Sequence, residues 1–150
     1  MRTMKNKYLN WIFTTSQSDT GILILRAIVG ISFIVHGYPK IIGGVEKWTM
    51  IGKAMGSIGI DFLPVFWGLC AAVSEFFGGI ALVLGFLTKI ASSGLAFTMF
   101  IAVMAHLTKG DGFSKASHPI ELMAVCIFLI LTGAGNLSVD RLMNKKFGKK

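Results

Sequence analysis

The chain has 150 residues, over half of them hydrophobic, with a mean hydropathy of +0.69 and only 15% charged side chains. A soluble domain carries about 25% charged residues, so this composition describes an integral membrane protein. The net charge of +8 would suggest nucleic acid in a soluble protein, but here the basic residues sit between apolar runs and at the two ends. That distribution belongs to membrane orientation and anionic lipid, and it excludes nucleic acid as the expected partner.

The first twenty residues are polar and basic, with no apolar core followed by a small-residue cleavage site, so no removable signal peptide is expected. Four apolar segments follow: Thr20 to Tyr38, Phe62 to Leu87, Ile90 to Leu107 and Pro119 to Ala134. A spanning helix needs about 20 residues. The fourth is short and could start nearer Lys115. Backbone in lipid must satisfy its own hydrogen bonds, and the alternation of a membrane barrel is absent, so helices are predicted. Thr88 and Lys89 mark a tight turn that makes the second and third helices antiparallel neighbours.

Between the first two spans, Trp48, Ile51, Met55 and Ile58 recur at helical spacing. This predicts a short amphipathic helix on the outer interface, against the alternative of a glycine-rich irregular loop. The predicted fold is an all-α four-transmembrane-helix bundle with that short helix in the first outer loop. The domain plan is a basic cytoplasmic N-terminal segment (1–19), the membrane domain (20–140) and a basic cytoplasmic tail (141–150) acting as a charge anchor. The balance of Lys and Arg places both termini in the cytoplasm.

A charge near the bilayer centre costs about 2.5–3.5 kcal/mol on insertion scales, so each intramembrane ionisable residue needs an explanation. Arg26 lies roughly 9 Å and Glu75 about 16 Å from the cytoplasmic side at ~1.5 Å per helical residue. That difference is within reach of an arginine, and small residues flank both positions. An Arg26–Glu75 ion pair or proton relay is therefore expected, against the alternative that Arg26 snorkels and Glu75 is simply protonated.

His36, His106, His118 and Glu121 collect toward the outer side. With Lys40, the residues His36, His106 and Glu121 are the expected polar ligand pocket. His118 and Glu121 are three apart, a spacing too generic to predict a metal. Glu121 one turn into a helix starting at His118-Pro119 would also simply complement the helix dipole. Cys70 and Cys126 point about 140° away from the carboxylate of their own helix, so they read as apolar filler and not as a redox pair.

Assembled, these motifs resemble the DoxX family of small bacterial membrane proteins. The likeness rests on "LRAIVGISFIVHGYPKI" (Leu25 to Ile41), "SEFFGGIALVLGFLTK" (Ser74 to Lys89), "AVMAHLTKGDGF" (Ala102 to Phe113), and "HPIELMAV" followed by "GAGNLSVD" (Gly133 to Asp140). The resemblance implies a four-helix bundle and points to Arg26, His36, Lys40, Glu75, His106, Glu121 and Asp140. Some members are subunits of membrane oxidoreductases, including a thiosulfate-to-quinone enzyme. The expected function is therefore a quinone-linked subunit. The chain has no CxxCH haem motif and no Gly-rich flavin fingerprint, so the redox centre would sit on a partner. No covalently bound cofactor is expected. A small homo-oligomeric transporter or channel and a non-catalytic membrane scaffold remain open on the same residues.

Overall fold

A computed structural model describes residues 19–147. The basic N-terminal segment expected over 1–19 therefore lies outside the described residues except for Asp19, as do the last three residues of the tail.

Six α-helices are present among the described residues: α1 (Asp19–Ile41), α2 (Gly44–Gly52), α3 (Pro64–Leu84), α4 (Thr88–Thr108), α5 (Phe113–Thr132) and α6 (Val139–Phe147). A 3-10 turn, Lys53–Ile58, extends α2. Helices α1, α3, α4 and α5 are long and apolar enough to cross a membrane. They run up and down in chain order. One end of the bundle, here the terminal end, holds the start of α1, the α3–α4 turn and α6. The other, here the loop end, holds α2, the 3-10 turn and the α4–α5 turn.

Packing follows the small residues. A Cβ on Gly30 would come within 2.7 Å of the Gly79 carbonyl, and one on Gly37 within 2.5 Å of the Phe76 backbone nitrogen. Only glycine lets α1 and α3 approach this closely, which is how helices associate where the surroundings are as apolar as their side chains. The central core takes Val29 and Phe33 from α1, Leu82 from α3, Leu95 and Met99 from α4, and Cys126 and Leu129 from α5. Outward, Ile24, Ile28, Ile31 and Val35 leave more than half their surface uncovered, as a lipid-facing stripe requires.

The fourth span starts at Phe113, six residues before Pro119. Gly112, at φ 79°, makes the break that lets the helix begin there. Pro119 lies inside the helix and leaves the Lys115 carbonyl without its helical donor, a loss tolerated in membrane helices. The first-turn role expected for Glu121 therefore fails: it stands in the third turn, beyond the reach of the helix dipole. The loop between α1 and α3 does form the predicted short helix. It does not merely lie on an interface, because Gly52 and Gly68 abut with no room for a Cβ on either and seat α2 directly on α3. The described part of the tail is helical. Ser138 accepts from the Arg141 amide and caps it.

Candidate functional site: two polar centres at opposite ends of the bundle

Helical side chains lean toward the N-terminus of their own helix. Arg26 and Lys40 both lie on α1, so both reach toward the terminal end. For Arg26 this direction leads away from Glu75. Its guanidinium donates to the Leu82 carbonyl at 2.8 Å and to the Leu137 carbonyl at 2.7 Å. Leu82 is seven residues beyond Glu75, about 10 Å along α3. The expected Arg26–Glu75 ion pair is thus replaced. Arg26 is completely buried, with its two terminal nitrogens bonded to backbone carbonyls and its Nε–H without a partner among the described residues.

For Lys40 the same lean leads back into the bundle. Gly37, one turn earlier, holds α1 against the backbone of Glu75 and Phe76. Lys40 Nζ donates to Glu75 Oε1 at 2.6 Å and to Oε2 at 2.5 Å. The carboxylate is nearly inaccessible, at 3%, while the lysine side chain keeps 28% of its surface. The α1 end that carries Lys40 is fixed by Trp48 of α2, whose indole N–H donates to the Lys40 carbonyl at 2.9 Å.

The pair opens on a cavity of about 280 Å³. Met55, Trp67, Phe97 and Ile101 supply apolar wall, and Ser74 and Thr98 supply hydroxyls. The Trp67 indole N–H is buried with no partner among the described residues. An ammonium has three N–H donors, and two are directed at Glu75, which leaves one. The cavity thus has one uncommitted donor, on Lys40, beside an apolar wall, while the Trp67 N–H lies buried within that wall.

The other expected pocket residues do not join it. His36 is exposed and meets His118 of α5, ring centroids 6.2 Å apart. His106 Nδ1 lies 2.8 Å from Asp111 Oδ2, and Lys115 reaches the other oxygen of Asp111 at 3.2 Å. These two hydrogen bonds, His106 first, hold the Asp111 carboxyl below the usual carboxylate range. Glu121 is exposed. Of the expected pocket only Lys40 lines the cavity, because the imidazoles and Glu121 sit on other faces of α1, α4 and α5. Among the described residues no three metal-ligating side chains converge. Cys70 and Cys126 are free thiols.

The terminal end is a lattice of caps. Gly85, at φ 67°, ends α3, and a Cβ there would overlap the Arg26 guanidinium. Asp140 accepts from the amides of Leu87 and Thr88 at 2.7 and 2.9 Å, and its own amide donates to the Gly85 carbonyl. It is therefore the N-terminal cap of α4, supplied from 50 residues away, and it holds Leu87 in its left-handed conformation at φ 48°. Asp19 takes both the amide and the side-chain NH₂ of Asn136. Trp48 was named for its helical spacing but not for its bond to Lys40, and Trp67, Asn136 and Ser138 were given no role. A tryptophan in a loop of small residues was a usable signal. The pairing of Asp19 with Asn136 left none.

Comparison with known proteins agrees with this architecture. The DoxX family model matches residues 21–107, which hold almost all of α1 through α4. The chain is 35% identical over 134 residues to "Inner membrane protein YqjF" of Escherichia coli (strain K12), covering 86% of this chain and 96% of that protein. It is 34% identical over 132 residues to "Putative oxidoreductase CatD" of Bacillus subtilis (strain 168), covering 88% and 92%. "Inner membrane protein YphA" of Escherichia coli (strain K12) is 28% identical over 130 residues, covering 80% and 88%. No solved structure matches the chain. The chain, with four spanning helices of which the first and second pack through glycines, belongs to the DoxX family.

Proposed function

We propose that this protein is the membrane subunit of a quinone-linked oxidoreductase, and that the Lys40–Glu75 cavity holds the quinone head group. One observation carries the reading: an uncommitted N–H donor on Lys40, whose Nζ is held by Glu75, borders a largely apolar space within the bundle. A quinone ring has apolar faces and two carbonyl oxygens, so it fits a wall of that kind. At about 280 Å³ the space suits a ring, not a large substrate. The printed name of the Bacillus subtilis relative supports the redox class, and the names of the two Escherichia coli relatives support the inner membrane.

When bound, a quinone supplies the capacity to accept two electrons and two protons. The residues of this chain position it. Lys40 offers an N–H to the cavity while Glu75 fixes its Nζ, and Ser74 adds a hydroxyl. Met55 and Ile101, both buried, keep that wall dry, which strengthens the hydrogen bond from Lys40. The electrons come from a partner carrying the redox centre, since this chain has no haem or flavin motif. The distribution of Lys and Arg supports cytoplasmic termini, which puts the cavity near the outer half of the bilayer. Arg26 is no relay in this reading; it braces the opposite end.

Titration of the protein in lipid nanodiscs with a ubiquinone analogue tests it. Saturable binding that is lost in Lys40→Met and retained in His106→Ala is the expected result. Equal binding by wild type and Lys40→Met would refute the assignment.

A further inference from the structure

Among the described helices, α6 buries none of its residues. At about 100° per residue, Val139, Leu142, Met143 and Phe147 fall within one arc of about 140°. Leu142 and Phe147 leave 65% and 69% of their surface uncovered. Asp140, Arg141, Asn144 and Lys145 take the rest of the circumference. Lys146 falls inside the apolar arc, with its ammonium 5.5 Å from the centre of the Phe147 ring.

The start of α6 is tied to the ends of the spans. The Asp140 amide donates to the Gly85 carbonyl, and its carboxylate accepts from the amides of Leu87 and Thr88. Helix α3, with 21 residues, is about 31 Å long, close to the ~30 Å of a bilayer's hydrocarbon core. The α3–α4 turn, and α6 with it, therefore stand at the bilayer boundary. Leu84 of α3 is half exposed, and it lines one groove of about 370 Å³ with Leu137, Val139 and Leu142. The apolar arc of α6 is thus continuous with the lipid-facing surface of the spans.

We infer that α6 lies in the headgroup layer and binds anionic phospholipid, with its apolar arc among the upper acyl chains and Arg141, Lys145 and Lys146 on lipid phosphates. The inference is independent of the quinone reading. Charge selects this occupant. The nearby carboxylates are already engaged, Asp140 by the α4 amides and Asp19 by Asn136, so the three cations are left for an outside anion. Lys149 and Lys150 follow in the sequence. Each basic residue near an anionic membrane surface strengthens attachment by about fivefold. Raising α6 into water would leave Leu142 and Phe147 uncovered, and sinking it would take Arg141 into hydrocarbon. Lys146 satisfies both media, with its stem along the apolar arc and its ammonium among the headgroups.

Hydrogen exchange of the 139–147 peptide, read on the full chain in nanodiscs holding one copy each, tests this. Wild-type exchange is expected to be slower by about tenfold or more in phosphatidylglycerol discs than in phosphatidylcholine discs. Arg141→Gln/Lys145→Gln/Lys146→Gln should bring the two lipids within about twofold of each other. Leu142→Gln/Phe147→Gln should speed exchange several-fold in phosphatidylglycerol. All five positions are exposed, so these variants leave the four-helix core intact. Equal wild-type exchange in the two lipids would overturn the proposal, and so would a triple variant that keeps the full difference. Inorganic phosphate that restores protection in phosphatidylcholine discs would assign the cations to a free anion. Protection confined to discs holding two copies would assign the face to a second copy of this chain. Either result would also overturn it.

Discussion

Arg26 and Lys40 sit on the same helix, lean the same way, and end in opposite kinds of surroundings. The Arg26 guanidinium is locked onto two carbonyls and packed under Gly85, with the Asp140 cap beside it. Lys40 meets a carboxylate and keeps an open side toward a cavity. The difference teaches that a buried charge in a membrane helix is not by itself a functional site. Where the charged group is fully enclosed and bonded to backbone it fixes helix ends; where a donor remains free beside an open cavity it can recognise a ligand.

The largest effect expected from breaking this contrast is at the structural centre. Arg26→Met removes two charge-assisted hydrogen bonds, each worth ~1.5–3 kcal/mol, and should lower stability by about 4 kcal/mol, read as a drop in detergent unfolding temperature. Lys40→Met should cost less, about 2 kcal/mol, because the lysine is only partly buried and gives up less on removal than a fully enclosed charge. It should nevertheless abolish quinone binding. The double variant Lys40→Met/Glu75→Leu sharpens the point: a paired apolar replacement is near neutral for stability, so unfolding should return toward wild type while binding stays lost. A double variant that recovers binding would show that the ion pair only sets helix register.

Asp140→Ala tests the long-range cap. Loss of an N-terminal cap costs ~0.5–2 kcal/mol, and the strained Leu87 places this one at the upper end, about 2 kcal/mol, measured by the same unfolding assay. Ligand affinity should not change.

The smallest effect concerns pH. Asp111 has its carboxyl held low by His106 and then Lys115. A depressed carboxylate contributes stability that is fully present above its ordinary pKa of about 3.9. That contribution is lost as pH falls through the lowered value. Asp111→Asn should therefore remove a small acid-side slope in unfolding temperature below about pH 4 and leave the neutral value almost unchanged.

Much of the fold was legible in the sequence. Apolar run length gave the four spans, and the small residues flanking Arg26 and Glu75 marked the faces on which α1 and α3 meet. The site was half legible. Glu75 and Lys40 were both named, but Glu75 was joined to Arg26, because depth along a helix axis says nothing about which way a side chain leans. His36, His106 and Glu121 share a depth with the cavity and not a direction. The break at Gly112 was also hidden, since Pro119 is the louder signal for a helix start.

By itself the sequence determined that the chain crosses a membrane four times, which helix faces are small enough to meet, and that a few charges must be sheltered from lipid. Length, hydropathy and glycine spacing are local properties, and the bilayer acts on them locally. Only the tertiary structure decided which charge shelters which. Asp140 reaches Leu87 and Thr88, Asn136 reaches Asp19, and Lys40 reaches Glu75 across gaps of 35 to 117 residues. Those pairings depend on helix rotation and side-chain direction, which no single segment encodes, because each is fixed by the neighbour it packs against.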